Sequence, residues 1–301
     1  MQQWISKLSE AEVGSILPNE PMAKYTTWKI GGPADAVIVP ETVQQLQHLI
    51  RILHEEKVPW MLVGKGSNML VSDLGIRGAV IKFGKGLEGS EFRGTEVEAD
   101  GGASFVSLSI MAGKKGLTGM EFASGIPGTV GGAVYMNAGA HGSDVSRIFK
   151  SAEIVLETGE LVSYNAEQME FAYRHSILHE HSWIVARAVF QLMEGDRAAI
   201  SSSMAAYKDR RRQTQPLQQP CAGSVFRNPP GDHAARLIEA AGLKGYRSGG
   251  AEVSEMHANF IVNTGQATAE DVLTLMHHIQ TVVASKFEVN LVPEVFCVGE
   301  R

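Results

Sequence analysis

Three polar side chains lie where their neighbours could make them chemically useful. Arg174 follows two aromatic residues in EFAYRHS, Ser224 lies among small residues in CAGSVFRNP, and Glu294 interrupts the apolar run LVPEVF. A guanidinium so placed can clamp a carboxylate with its planar fork, or it can sit solvated on a loop. A serine beside glycine can cap a turn, or present its hydroxyl to a reacting atom. A carboxyl in an apolar strand is driven toward its neutral, hydrogen-donating form by desolvation, unless it faces outward at a sheet edge. Taken singly, each residue keeps both readings.

Backbone chemistry is suggested elsewhere. Residues 125–142, GIPGTVGGAVYMNAGAHG, hold six glycines and no Asp, Glu, Lys or Arg. Each glycine weakens a helix or strand by roughly 0.5–1 kcal/mol relative to alanine, so this density needs a reason. A lining for a large, flat, diphosphate-bearing cofactor supplies one. GKGSN at 64–68 follows a strand-like run and could cradle a diphosphate with its N–H groups, or be a plain strand-to-loop turn. A GxGxxG match at Gly84, Gly86 and Gly89 is read as accidental, because strand-like sequence follows where a dinucleotide fingerprint needs a helix. The pairs His175/His179 and His277/His278 lack acidic partners at ligand spacing and read as packing or surface residues. Lys208, Arg210, Arg211 and Arg212 read as a solvated helix end, with a phosphate contact as the alternative.

These residues need a scaffold of mixed helix and strand. DAVIVP (35–40), an amphipathic helix over 41–57 and VPWMLV (58–63) make a βαβ start, with RGAVIKF (77–83) as a third strand. EVEADGG, the 104–116 helix, 151–165 and 183–193 suggest a second α+β lobe. A polar helix over 196–213 leads to a third region. There CAGSVFRNP reads as a strand, 232–242 and 269–286 as helices, and LVPEVFCVG as a closing strand. Thr268 and Asp271 have capping-box spacing at the last helix's start.

At 301 residues, 44% hydrophobic and 20% charged, the chain is a globular protein large enough for two or three sub-domains. A net charge of −6 disfavours nucleic acid as the main partner. The first residues lack a basic start followed by an apolar stretch, and no apolar run is long enough to span a bilayer, so a cytoplasmic location is expected. Cys221 and Cys297 show neither a disulfide framework nor zinc-ligand spacing, and no metal is expected.

Read in order, GKGSNMLVSD, the 125–142 stretch, FAYRHS, AGSVFRNP, GLKGYRSGGAEVSEMHANFIVN and LVPEVF resemble the successive signatures of the UDP-N-acetylenolpyruvoylglucosamine reductase (MurB) family of peptidoglycan synthesis, over about residues 20–298. The resemblance implies an α+β, two-lobed FAD-binding fold of the vanillyl-alcohol oxidase (PCMH) type with a third α+β substrate-binding domain. It implies a lead segment at 1–20, lobes at 21–86 and 87–195, a substrate domain at 196–290 and a returning C-terminal strand at 291–301. Non-covalent FAD would lie against Gly64, Lys65, Gly66, Ser67, Asn68 and Met69 in the first loop. In the second it would meet Gly125, Ile126, Pro127, Gly128, Gly131, Ala133, Asn137 and Gly139. NADPH would be the hydride donor and a UDP-sugar the substrate. Arg174, Ser224 and Glu294 match the family's catalytic positions as carboxylate clamp, proton donor and neutral hydrogen-bond donor. Arg174, Asn228 and His257 fall at substrate-binding positions, and Arg227 or the 208–212 cluster would supply positive charge near Ser224. The short segment between Met193 and Ala199 resembles the branch that lacks a tyrosine-bearing insertion. A monomer is expected. Another flavin oxidoreductase of this fold, acting on an alcohol or sugar, is the competing reading.

Overall fold

The structure, a computed structural model, describes residues 3–300. It separates into two compact units: one built from 1–18, 36–64 and 78–209, the other from 19–35, 65–77 and 210–301. These units interleave along the chain and do not follow the five-segment division, which stays a proposal about function rather than compactness.

In the first unit, an antiparallel sheet runs in the order Leu161–Asn165, Phe149–Val155, Ile184–Gln191, Glu96–Asp100, Ser90–Arg93. Alternating apolar residues point these strands to a common core. Ala152 pairs with Ala188, and Ala188 with Ala99, making a row of small side chains across the three central strands. That row leaves room for two helices, Phe105–Lys114 and the short Val130–Tyr135, against the same core. Phe105 fills it, edge-on to Phe122 at 6.1 Å and tilted against Phe190 at 6.3 Å. Each such fully buried ring contributes about 1.5–3 kcal/mol.

The expected βαβ start is present. Thr42 caps the helix Val43–Glu55 by accepting the Gln45 N–H at 3.1 Å, and Leu46, Leu49, Ile50 and Leu53 form its buried stripe. Trp60–Leu62 pairs in parallel with Ile76–Ile81, placing Trp60 opposite Ala79. The turn at 84–89 leads into the strand Ser90–Arg93, and its Gly86 and Gly89 N–H groups are taken by Glu41 and Asp100, so the GxGxxG match is indeed no dinucleotide fingerprint.

The second unit has a small antiparallel sheet, Arg247–Ser248, Ala251–Val253 and Ile261–Asn263, with the helices Ala234–Ala240 and Ala269–Phe287. Met69–Val71 pairs in parallel with Phe296–Val298. Trp28 is fully buried, and its Nε1–H donates to the Ile261 carbonyl at 2.8 Å. The Thr268–Asp271 capping box forms as expected. Asp73 adds to it by accepting the Ala269 and Glu270 N–H groups at 2.9 and 3.2 Å, so the aspartate closing GKGSNMLVSD anchors this helix.

Two strand expectations need correction. CAGSVFRNP forms no strand, only an isolated bridge between Phe226 and Pro293, and the closing strand is limited to Phe296–Val298. Glu294 therefore lies half-buried in irregular chain rather than inside an apolar strand. The reason is a side chain, Asn259, that occupies a strand's place.

Candidate active site

Arg174 occupies a tight turn in the first unit. Ala172 and His175 exchange both backbone hydrogen bonds at 3.1 Å, which forces the residues between them through the reversal. Arg174 takes φ +55°, a left-handed conformation that a side chain adopts at a cost of roughly 1–2 kcal/mol. A glycine would fit without strain, so a large side chain here points to use of the side chain itself. The guanidinium is half-buried, donates to the Gly139 carbonyl at 2.9 Å and lies 5.0 Å from the Tyr173 ring centroid.

The turn is fastened to the glycine-rich stretch at two further points. Asn137, buried at 3% exposure, donates from Nδ2 to the Ala172 carbonyl at 2.9 Å while its Oδ1 accepts the Ser146 N–H at 2.9 Å. Ser176, fully buried, donates to the Tyr135 carbonyl at 2.7 Å. The Asn137 amide is thus engaged inside the chain on both ends. Sequence reasoning missed Ser176 and saw Asn137 only as a cofactor contact. The His179 ring lies tilted against Tyr135 with centroids 4.1 Å apart, in keeping with a packing role.

The second unit holds Ser224 and Glu294 on neighbouring backbone. Glu294 N–H donates to the Val225 carbonyl at 2.8 Å, and Arg227 N–H to the Val292 carbonyl at 2.9 Å. On the other side, the Val225 N–H donates to the Asn259 carbonyl at 2.9 Å. The Asn259 side chain then pairs with Phe226 as a strand would, Oδ1 accepting its N–H at 3.0 Å and Nδ2 donating to its carbonyl at 2.8 Å. Asn68 Nδ2 donates to the Glu294 carbonyl at 3.1 Å.

Other predicted residues flank this arrangement. His257 is half-buried, and its Nδ1 accepts the Asn259 N–H at 3.3 Å. Burial holds its imidazole below the ordinary range. Asn228 is exposed and accepts the Ala234 N–H at 3.1 Å, at the start of a helix. Arg211 is not a solvated helix end: it is half-buried and acts electrostatically on Cys221. Burial raises the Cys221 thiol, while the Gly223 N–H and Arg211 pull it down. Among the described residues no cluster of three or more metal-ligating side chains occurs.

The glycine-rich turns meet in the first unit. A Cβ on Gly64 would sit 2.7 Å from Thr129 Oγ1, so the two turns touch only because that position has no side chain. Lys65 to Met69 continue into the second unit. Gly125, Ile126 and Gly128 are half-buried and Pro127 exposed, ahead of the helix Val130–Tyr135. Within that helix Gly131 and Ala133 are buried, with their N–H groups on the Gly101 and Thr129 carbonyls. A Cβ on Gly131 would come within 3.1 Å of the Gly101 carbonyl oxygen, so its smallness serves chain packing. In sequence, 64–68 carries Lys65 as its one charged side chain and 125–129 carries none, a composition suited to a diphosphate. That composition fits a dinucleotide such as FAD.

Residues 34–165 match a family model described as an FAD binding domain, and residues 215–298 match that of the UDP-N-acetylenolpyruvoylglucosamine reductase C-terminal domain. The reductase of that name from Bacillus subtilis (strain 168) is 49% identical over 300 residues, covering 99% of each chain. That from Bacillus licheniformis is 50% identical over the full length of both. The chain belongs to the UDP-N-acetylenolpyruvoylglucosamine reductase (MurB) family. It is accordingly an oxidoreductase with an FAD-binding domain. The crystal structure of the MurB reductase from Thermus caldophilus superposes with a TM-score of 0.81 at 34% identity, covering 94% of this chain and 98% of that one. A variant of Phl p 4, a glucose oxidase, matches 65% of the chain at a TM-score of 0.50 and 14% identity, a likeness of fold alone.

Proposed function

We propose that the chain reduces the enolpyruvyl ether of UDP-N-acetylglucosamine to the D-lactyl ether, UDP-N-acetylmuramate, with non-covalent FAD and with NADPH as hydride donor. The observation that carries this reading is the end-to-end similarity to reductases named for that substrate. Bound FAD would supply hydride exchange between NADPH and substrate. It would be held by Gly64 to Met69 and by 125–129, with Asn137 and Gly139 supporting the second loop.

The chain's own residues divide the remaining work. Addition of a hydride to the terminal enol carbon leaves an electron pair on the adjacent carbon and its carboxylate, where a cation lowers the barrier. Arg174 fits that task, since a guanidinium fork matches a carboxylate as no lysine can. Glu294 in its neutral form would donate a hydrogen bond to the same developing charge. Ser224 would then give its proton to the adjacent carbon, completing the addition of hydride and proton across the double bond. Arg211 and Arg227 would ease loss of that proton, while Asn228 and His257 would bind the rest of the UDP-sugar. The nucleotide-linked substrate and NADPH support a cytoplasmic enzyme, which we take to act as a monomer.

Purified protein should consume NADPH only when the enolpyruvyl substrate is present, at the same rate with and without oxygen. Oxygen-dependent turnover on an alcohol or sugar would replace this reading with an oxidase.

A further inference from the structure

Asn259 has no role in the proposed chemistry, yet it is among the most heavily bonded residues of the second unit. It is buried at 4% exposure inside HANFIVN, an apolar run where an amide needs partners to offset desolvation. Its carbonyl and its side chain find them in the two residues after Ser224. Its backbone carbonyl takes the Val225 N–H at 2.9 Å, and its side chain closes a two-point pair with the Phe226 N–H and carbonyl at 3.0 and 2.8 Å. On the opposite side of the same two residues lie the Glu294 N–H, on the Val225 carbonyl, and the bridge from Phe226 to Pro293.

We infer that Asn259 is a positioning residue for the Ser224 hydroxyl, clamping the chain beside it against the Glu294 segment so that proton delivery occurs from a fixed point. The inference rests on the proposed role of Ser224 as proton donor. A side-chain amide suits this work better than a strand. It pins Phe226 at two points without imposing an alternating pleat on Gly223, which takes φ +73°, and Ser224 before it. Displacing a reacting group by about 1 Å can lower a rate by about 10²-fold, so loosening the clamp should be felt in one step of the reaction.

The test uses FAD-loaded full-length protein and follows its yellow colour in two half-reactions, bleaching by NADPH and recovery on adding the enolpyruvyl substrate. Asn259→Ala should slow recovery by about 10- to 100-fold at saturating substrate and leave bleaching within about twofold. In the Ser224→Ala background the same change should add almost nothing, because residues acting as one unit are not additive. Amide hydrogen exchange should rise at Phe226, whose N–H loses its side-chain acceptor, and not across the rest of the unit. Should Asn259→Ala fail to fold, Asn259→Asp keeps the acceptor for the Phe226 N–H and sets an oxygen against the Phe226 carbonyl in place of the donor, and recovery should still slow selectively. Equal slowing of both half-reactions, or full multiplication with Ser224→Ala, would make Asn259 a plain structural amide and overturn the inference. Normal recovery in Ser224→Ala itself would overturn the proton-donor reading and this inference together. A slow Ser224→Ala with an unaffected Asn259→Ala would overturn the inference alone.

Discussion

Arg174 and the Ser224–Glu294 pair are held in place by contrasting backbones. Arg174 sits in a left-handed turn residue, closed by the mutual hydrogen bonds of Ala172 and His175. Neither Ser224 nor Glu294 has a positive φ, and both lie on irregular chain held laterally by hydrogen bonds. The first arrangement projects one long cation by accepting local strain. The second fixes two short groups by cross-linking the chain beside them. Yet each relies on a buried asparagine, Asn137 for the turn and Asn259 for the ladder, because an amide can satisfy a carbonyl and an N–H at once where no strand is available.

The contrast is broken most severely at Ser224. Ser224→Ala should slow recovery of the oxidised cofactor by substrate by about 10² to 10⁴, or roughly 2.7–5.4 kcal/mol, while bleaching by NADPH stays near normal. Comparable loss in both half-reactions would mean that the serine only shapes its loop.

Changes at Arg174 come next. Arg174→Lys keeps the charge and the strained backbone but loses the fork, and kcat/KM should fall by about 10- to 100-fold, the equivalent of one charge-assisted hydrogen bond. Arg174→Gly should abolish carboxylate binding and at the same time relieve the turn. Its melting temperature should hold or rise although activity is lost. A clear drop in melting temperature would show that the guanidinium is there for stability through Gly139.

Smaller still is the difference expected between two changes at Glu294. Glu294→Gln retains a donor of similar shape and should keep about tenfold more activity than Glu294→Ala if the neutral acid is the working form. Equal losses would count against the neutral acid as the working form.

The mildest effect concerns pH. Burial keeps His257 below its ordinary range, assisted by Lys244 and opposed by Glu239 and a backbone hydrogen bond. Between its folded value and the usual imidazole value of about 6.5, the unfolded chain binds more protons than the folded one. Stability therefore rises with pH across that window and is lost as pH falls through it. The urea midpoint should drop on acidification from about pH 7 toward pH 5, and His257→Gln should flatten that dependence. An unchanged slope would assign the loss to carboxylates elsewhere.

What the sequence made legible was local. The Thr268–Asp271 box and the stripe of Val43–Glu55 are i to i+3 and i to i+4 patterns, so each could be read without knowing the fold. The glycines at 64 and 131 signalled close approach, but not to what: both prove to admit neighbouring chain. The strand expected over CAGSVFRNP failed because its pairing partner is the side chain of Asn259, distant in sequence and invisible to alternation. Arg174's conformation was equally hidden, since it is imposed by closure between Ala172 and His175 rather than by its own propensity. An amide inside HANFIVN was the one signal available for Asn259: a polar residue in an apolar run implies a tertiary partner.

We propose that holding the substrate and delivering the proton belong to different residues. Calorimetric titration of the oxidised enzyme with the enolpyruvyl substrate, without NADPH, separates them directly. Ser224→Ala should bind within about threefold of the unaltered protein, because one neutral hydroxyl is lost, while Arg174→Lys should bind at least about tenfold more weakly. If Ser224→Ala weakens binding as much as Arg174→Lys does, the division of labour between clamp and proton donor is wrong.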